Sequence, residues 1–164
     1  DAGTDPLVVQ RIKDSDPGLG KRKLDQMILT HNHYDHTGNV TALKDLFQPT
    51  VLAWSASRID VDRQVVDGER IRIGERNFEI IHMPGHSQDS ILLFDEEEGV
   101  LFSGDSPLVI RSDGGQYETG FVQVLERLTR LPIRIMYPGH GKPLEGNCRK
   151  ILEQSLRHVR AGYR

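Results

Sequence analysis

Between Thr30 and His36 the chain reads THNHYDH, so three imidazoles and a carboxylate fall within six consecutive positions of a protein with seven histidines in all. Neutral imidazole nitrogens and carboxylate oxygens are a donor set for zinc and other divalent metals, and a catalytic site keeps one coordination position open for water. Along an extended loop alternate side chains point oppositely, so His31 and His33 can share a face while the backbone turns Asp35 and His36 toward a neighbouring point. One motif can therefore serve two metals. Further ligands are at hand in PGHS, SGDS and PGHG, which offer His86, Asp105 and His140 on small-residue turns that let the backbone come close to an ion.

With two metals about 3.5–4 Å apart, a water held between them loses a proton near neutral pH and becomes a nucleophile. The reaction class is then hydrolysis of an electrophilic carbonyl or phosphoryl group. Asp35 is the candidate catalytic residue, since it can orient the attacking hydroxide as well as bind metal, while a metal stabilises the developing oxyanion. Two further residues are candidates for substrate contact. Tyr34 lies between ligands, with packing against a sheet as its alternative, and Lys142, just past His140, could meet an anionic substrate or simply be solvated.

These residues need elements to position them. LDQMILT (Leu24 to Thr30) is a short apolar run suited to a strand buried on both sides. Val40, Leu43, Leu46 and Phe47 recur at a helical period over Gly38 to Phe47, and Pro49 stops that helix. TVLAWS reads as a strand, Arg70 to Ile81 as a hairpin about a Gly-containing turn, and Ser90 to Asp105 as two apolar strands joined by an acidic turn ending in Gly99. Phe121, Leu125 and Leu128 form a helical stripe closed by Pro132, IRIMYPGHG is a last buried strand, and Leu152, Leu156, Val159 and Tyr163 line a terminal helix. DAGTDP opens the chain with turn chemistry. All seven candidate ligands thus lie on loops at strand ends, where a layered α/β domain gathers its functional groups.

Several residues carry only a structural reading. His82 and His158 are expected to be satisfied core or surface histidines, Cys148 a small thiol, and the Asp95 to Glu98 run a solvated turn. The length of 164 residues suits one compact domain spanning 1–164. A formal charge of −3 from nearly balanced acids and bases advertises neither nucleic acid nor an anionic membrane. The single cysteine excludes an internal disulfide and favours a reducing, cytoplasmic compartment, and no apolar run reaches bilayer-spanning length.

The set THNHYDH, MPGHSQDS, FSGDS and YPGHG resembles the metallo-β-lactamase fold superfamily, with the ligand variety of its glyoxalase II-like branch, over Asp1 to about Leu144. That resemblance implies a mixed α/β (α+β) protein, a four-layer αββα sandwich with metals at the edge between its sheets. It implies that His31, His33 and His86 hold a first metal, that Asp35, His36 and His140 hold a second, and that Asp105 bridges the two. Two zinc ions are the expected cofactors, with iron or manganese as alternatives. Members of the fold normally have strands before the DAGTD segment, so one sheet is expected to be incomplete, and homodimerisation stays open.

Branches of the superfamily differ at readable positions. β-Lactamases of the best-known zinc subclass carry a cysteine where Asp105 stands, and flavin-linked di-iron reductases replace the histidine at His33 with an acid. Human-type glyoxalase II adds a C-terminal helical domain, whereas only about twenty residues follow Leu144; the large RNA-processing nucleases need an inserted domain. The remaining resemblance is to the small β-lactamase-like branch, which includes thioesterases and a single-strand endoribonuclease. The expectation is a dinuclear hydrolase in which a metal-bridging hydroxide attacks a small ester or thioester. The alternatives are three: an endoribonuclease using Arg149, Arg157, Arg160 and Arg164 on one helix face, a mononuclear iron persulfide dioxygenase using His31 or His33 with His86 and Asp105, and a metal-binding domain without turnover.

Overall fold

A computed structural model describes residues 1–54, 59–113 and 115–162. Ser55 at the end of TVLAWS, and Tyr163 and Arg164 at the end of the last helix, lie outside the described residues. By contacts the chain divides into two compact units, Asp1–Val65 and Val66–Arg164.

The first unit contains helix α1 (Leu7–Asp14), strand β1 (Gln26–Ile28), the single turn α2 (Tyr34–Thr37), helix α3 (Val40–Phe47) and strands β2 (Thr50–Ala53) and β3 (Arg63–Gln64). Its sheet has the order β1-β2-β3 and both pairings are parallel. Parallel strands are covered on both faces, which explains why β2 reads as a continuous apolar run with Val51, Leu52 and Ala53 all buried. Helix α3 packs through Val40 and Leu43, which join Met27, Leu29, Val51 and Ala53 in one core. Leu46, read from the sequence as part of that stripe, is exposed instead. The helix stops as expected: Gln48 takes a left-handed conformation (φ 52°) and its N–H closes on the Lys44 carbonyl, just before Pro49.

The second unit contains strands β4 (Arg70–Ile73), β5 (Arg76–His82), β6 (Ile91–Asp95) and β7 (Val100–Gly104), helix α4 (Thr119–Leu128), strands β8 (Ile135–Pro138) and β9 (Leu144–Glu145), and helix α5 (Cys148–Ala161). Its sheet runs in chain order from β4 to β9. Strands β4 to β7 form an antiparallel meander, while β8 pairs parallel to β7 after the crossover that contains α4. The stripe Phe121, Leu125 and Leu128 is fully buried, and Leu152, Leu156 and Val159 of α5 join it with Ile81, Leu92, Leu101 and Met136 of the sheet. Each of these large side chains contributes roughly 1.5–3 kcal/mol by leaving water.

The acidic turn between β6 and β7 is only partly solvated. Asp95 is buried, and its carboxylate accepts the backbone N–H groups of Glu97 (3.0 Å) and Glu98 (3.2 Å) and meets Arg76 at 3.4 Å. A buried acid is tolerated there because the turn's own backbone satisfies it. The solvated reading therefore holds for Glu96, Glu97 and Glu98 but not for Asp95.

Candidate metal centre

In the first unit, β1 ends at Ile28 and the chain leaves the sheet through Leu29 and Thr30 into the histidine loop. His31 is buried, His33 is exposed, and the backbone then winds into α2, which carries Tyr34, Asp35 and His36. His31 Nε2 lies 3.1 Å from His33 Nδ1, and the His31 and His36 rings are 4.2 Å apart. His36 Nε2 stands 3.7 Å from Asp35 Oδ2.

The imidazoles are oriented from behind by a residue that sequence reasoning passed over, Asp1. Its carboxylate accepts from the Thr30 N–H (2.7 Å), from the Thr30 hydroxyl (2.9 Å) and from His36 Nδ1 (3.0 Å). A carboxylate can only accept, so His36 carries its proton on Nδ1 and presents the Nε2 lone pair as its ligand atom. The Thr30 hydroxyl has one proton and directs it to Asp1, so at 3.1 Å it accepts from His31 Nδ1. That assigns the His31 ligand atom as Nε2 too. One carboxylate thereby sets the tautomer of two rings, directly and through a hydroxyl.

In the second unit the three ligand candidates leave the same edge of the sheet. The pairings His82 with Ile91 and Gly104 with Pro138 put the end of β5, the end of β7 and the end of β8 together. A register shift between Phe102 and Gly104 bends β7 just before Asp105, as a bulge does when it re-aims a side chain. The Gly139 N–H donates to the Gly104 carbonyl at 2.7 Å, which pins the His140 loop against the Asp105 turn. On the other side, the Ser87 N–H donates to Ser90 Oγ at 3.2 Å and the Met83 N–H to the Ser90 carbonyl at 2.9 Å, tying the loop that bears His86. Asp105 Oδ2 consequently sits between two imidazoles, 3.7 Å from His86 Nε2 and 3.4 Å from His140 Nε2. His86, Gly104, Asp105, Ser106, Pro138 and His140 line a cleft of about 290 Å³.

These donors fit a divalent cation. Two ligand atoms about 2.0–2.1 Å from a tetrahedral metal stand roughly 3.3 Å apart. The separations of 3.1 Å in the first unit and 3.4 Å in the second match that spacing. Each of the pairs His31/His33, Asp35/His36 and Asp105/His140 offers ligand atoms within 4.8 Å of one another.

The remaining candidates fall out differently. Tyr34 is 77% exposed, so it does not pack on a sheet, and Lys142 is exposed as well. His82 is a structural histidine whose Nε2 donates to the Gln88 carbonyl at 2.8 Å, and His158 pairs with Asp113 at 2.7 Å. Cys148 is fully buried, its thiol donates to the Arg134 and Leu144 carbonyls, and burial raises its pKa. In the arginine stripe Arg149 is held by Glu153 (3.0 Å) and Arg160 by Glu126 (2.8 Å).

Known proteins bear on this geometry. The sequence pattern of the metallo-beta-lactamase superfamily matches residues 1–53 and 53–140. An atrochrysone carboxyl ACP thioesterase of Aspergillus fumigatus is 30% identical over 143 residues, covering 85% of this chain and 45% of that protein. A hydroxyacylglutathione hydrolase of a Chelativorans species is 32% identical over 133 residues, covering 77% of this chain and 51% of that protein. The chain spans about half the length of the curated relatives it matches. Among solved structures, a beta-lactamase domain protein from Burkholderia ambifaria superposes with a TM-score of 0.73 at 23% identity, over 98% of this chain and 63% of that one. A metallo-beta-lactamase from Pontibacter korlensis does so with a TM-score of 0.72 at 16% identity, over 98% and 79%. The likeness establishes the fold as mixed α/β of the metallo-β-lactamase type. Ligand motifs at strand ends, the fold around them and a pattern match through residue 140 agree: the chain belongs to the metallo-β-lactamase superfamily.

Proposed function

We propose that this chain is the metal-bearing part of a dinuclear, zinc-dependent hydrolase acting on a small ester or thioester. His31, His33 and His86 serve one ion, Asp35, His36 and His140 the other, and Asp105 both. The observation that carries the reading is the Asp105 carboxylate, whose Oδ2 lies within 3.7 Å of His86 Nε2 and 3.4 Å of His140 Nε2. One oxygen so placed between two imidazoles suits a carboxylate shared by two cations. The thioesterase and hydroxyacylglutathione hydrolase relatives point to the same class of substrate.

Bound divalent ions supply Lewis acidity and a nucleophile drawn from water near neutral pH. The chain's own residues do the rest. Asp1 and Thr30 hold His31 and His36 in the tautomers that present Nε2. Asp35, half-exposed with its Oδ2 3.7 Å from His36 Nε2, would accept a proton from an attacking water and orient it. Lys142 and Tyr34, both exposed, are available to the part of the substrate remote from the scissile bond.

Arg149 and Arg160, two of the four arginines of the stripe, are paired with Glu153 and Glu126, which weighs against phosphate tracking along α5. Asp105 and the single cysteine favour a thioester over a β-lactam and a reducing, cytoplasmic setting. Among the described residues no helix is long and apolar enough to cross a membrane. The test is elemental analysis of the purified protein coupled to hydrolysis assays with thioesters, lactones and single-stranded RNA. About two zinc ions per chain with thioester cleavage is expected; one iron with oxygen consumption, or cleavage of RNA alone, overturns the reading.

A further inference from the structure

Beside the cleft that contains His86, Asp105 and His140 lies a second cavity in the same unit. It measures about 190 Å³ and is lined by Ser103, Ser106, Pro107, Leu108, Val109, Met136, Pro138 and Leu144. Ser106 and Pro138 line both spaces, so the two adjoin. The first is lined by metal-type ligands and the second mainly by aliphatic side chains.

Three observations make the aliphatic end more than a packing gap. Leu108 and Met136 are buried and form its floor, yet Val109 on its rim is 40% exposed, an apolar side chain left facing solvent. Ser106 is buried where the two linings meet and its hydroxyl oxygen is almost inaccessible, so it adds little polarity to the cavity wall. Among the described residues the walls hold no aromatic ring that would favour a planar ligand, and Met136 is a flexible side chain that adapts to a chain of methylenes.

We propose that this cavity is the subsite for an unbranched aliphatic acyl chain of about six carbons, with the scissile bond at the adjoining ligand cluster. The size is set by volume: an engineered apolar cavity of about 150 Å³ accommodates benzene. The proposal rests on the hydrolase reading for the word acyl, but the cavity's preference for an aliphatic chain is measurable without turnover.

The experiment has two arms on the metal-loaded protein. In the first, acetate, butyrate and hexanoate are titrated while the methyl NMR signals of Leu108, Val109, Met136 and Leu144 are followed. Affinity should rise roughly fourfold per added methylene up to hexanoate, and those four residues should report it. Val109→Asp should flatten the series by about tenfold at hexanoate, and Val109→Thr, which keeps the shape, should act in the same direction more weakly. In the second arm, acetyl and hexanoyl thioesters are compared by kcat/KM, and Val109→Asp should lower the hexanoyl-to-acetyl ratio. Chain-length-dependent shifts without cleavage of any thioester overturn the hydrolase reading and leave the aliphatic subsite standing. Cleavage indifferent to chain length, with the four methyl signals unmoved by hexanoate, overturns the subsite and leaves the hydrolase.

Discussion

The carboxylate of Asp1 receives the Nδ1 proton of His36 at 3.0 Å across 35 positions of sequence. That contact fixes which nitrogen of His36 remains to bind a cation, and through Thr30 the same carboxylate fixes His31. Outer carboxylates of this kind are worth about 10–100-fold in metal affinity. Asp1→Ala should weaken metal retention by that factor in competition with a chelator; an unchanged dissociation constant would show that the histidines are oriented by something else.

His33→Ala removes an exposed imidazole whose Nδ1 stands 3.1 Å from His31 Nε2. Turnover and stoichiometric metal content should both be lost, while circular dichroism shows a folded protein of lower thermal stability. Full activity after this change would take His33 out of the site.

Gly85 comes immediately before His86, and a Cβ built on it would stand 2.7 Å from Phe121 Cδ2. The Phe121 ring is fully buried and stacked on Tyr117 at 5.1 Å, so it has little room to withdraw. Gly85→Ala should cost about 1–3 kcal/mol by overpacking and weaken metal binding by displacing the His86 loop. Phe121→Leu in the same chain should recover part of both losses, which a double-mutant cycle reads directly.

Asp62 has its pKa lowered, first because its carboxylate accepts the buried Val51 N–H at 2.8 Å and then because Lys44 lies 2.9 Å away. A depressed folded-state pKa means that this stabilisation is complete above the ordinary value of 3.8 and fades as pH falls through the folded one. Asp62→Asn should therefore lower Tm by a few degrees at pH 7, and the gap to wild type should close in acid below about pH 4. A gap that persists unchanged at pH 2.5 would assign the effect to shape and not to charge.

The parts of the fold that carry periodicity were readable from sequence. The α4 stripe, the α3 face through Val40 and Leu43, and the strand-end positions of His31, His86, Asp105 and His140 follow from local patterns that packing reinforces. Other parts had no local signal. Strands β3 and β9 are two residues each and exist only through their pairing with β2 and β8. Helix α1 is only eight residues long and buries none of them fully, so Val9 and Ile12, which pack partly buried against the core, were masked by the turn chemistry that precedes them. Asp95 differs from its acidic neighbours only because the turn folds its backbone N–H groups back onto it. The role of Asp1 depends on contacts 29 and 35 residues away, and nothing in the DAGTD segment announces them beyond an acid at a turn.

The alternation of direction through β5, β6 and β7 also fixes what lies farthest from the ligand edge. Because β6 and β7 are each five residues long, Glu96 to Glu98 sit about one strand length, roughly 17 Å, from Asp105. Asp95 is locked by its hydrogen bonds, and Gly99 is hemmed in by the Pro132 carbonyl, but Glu97 is exposed between them. A fluorophore or surface tether attached at Glu97 would leave the cleft facing solution, which makes that position a natural handle for immobilising the protein.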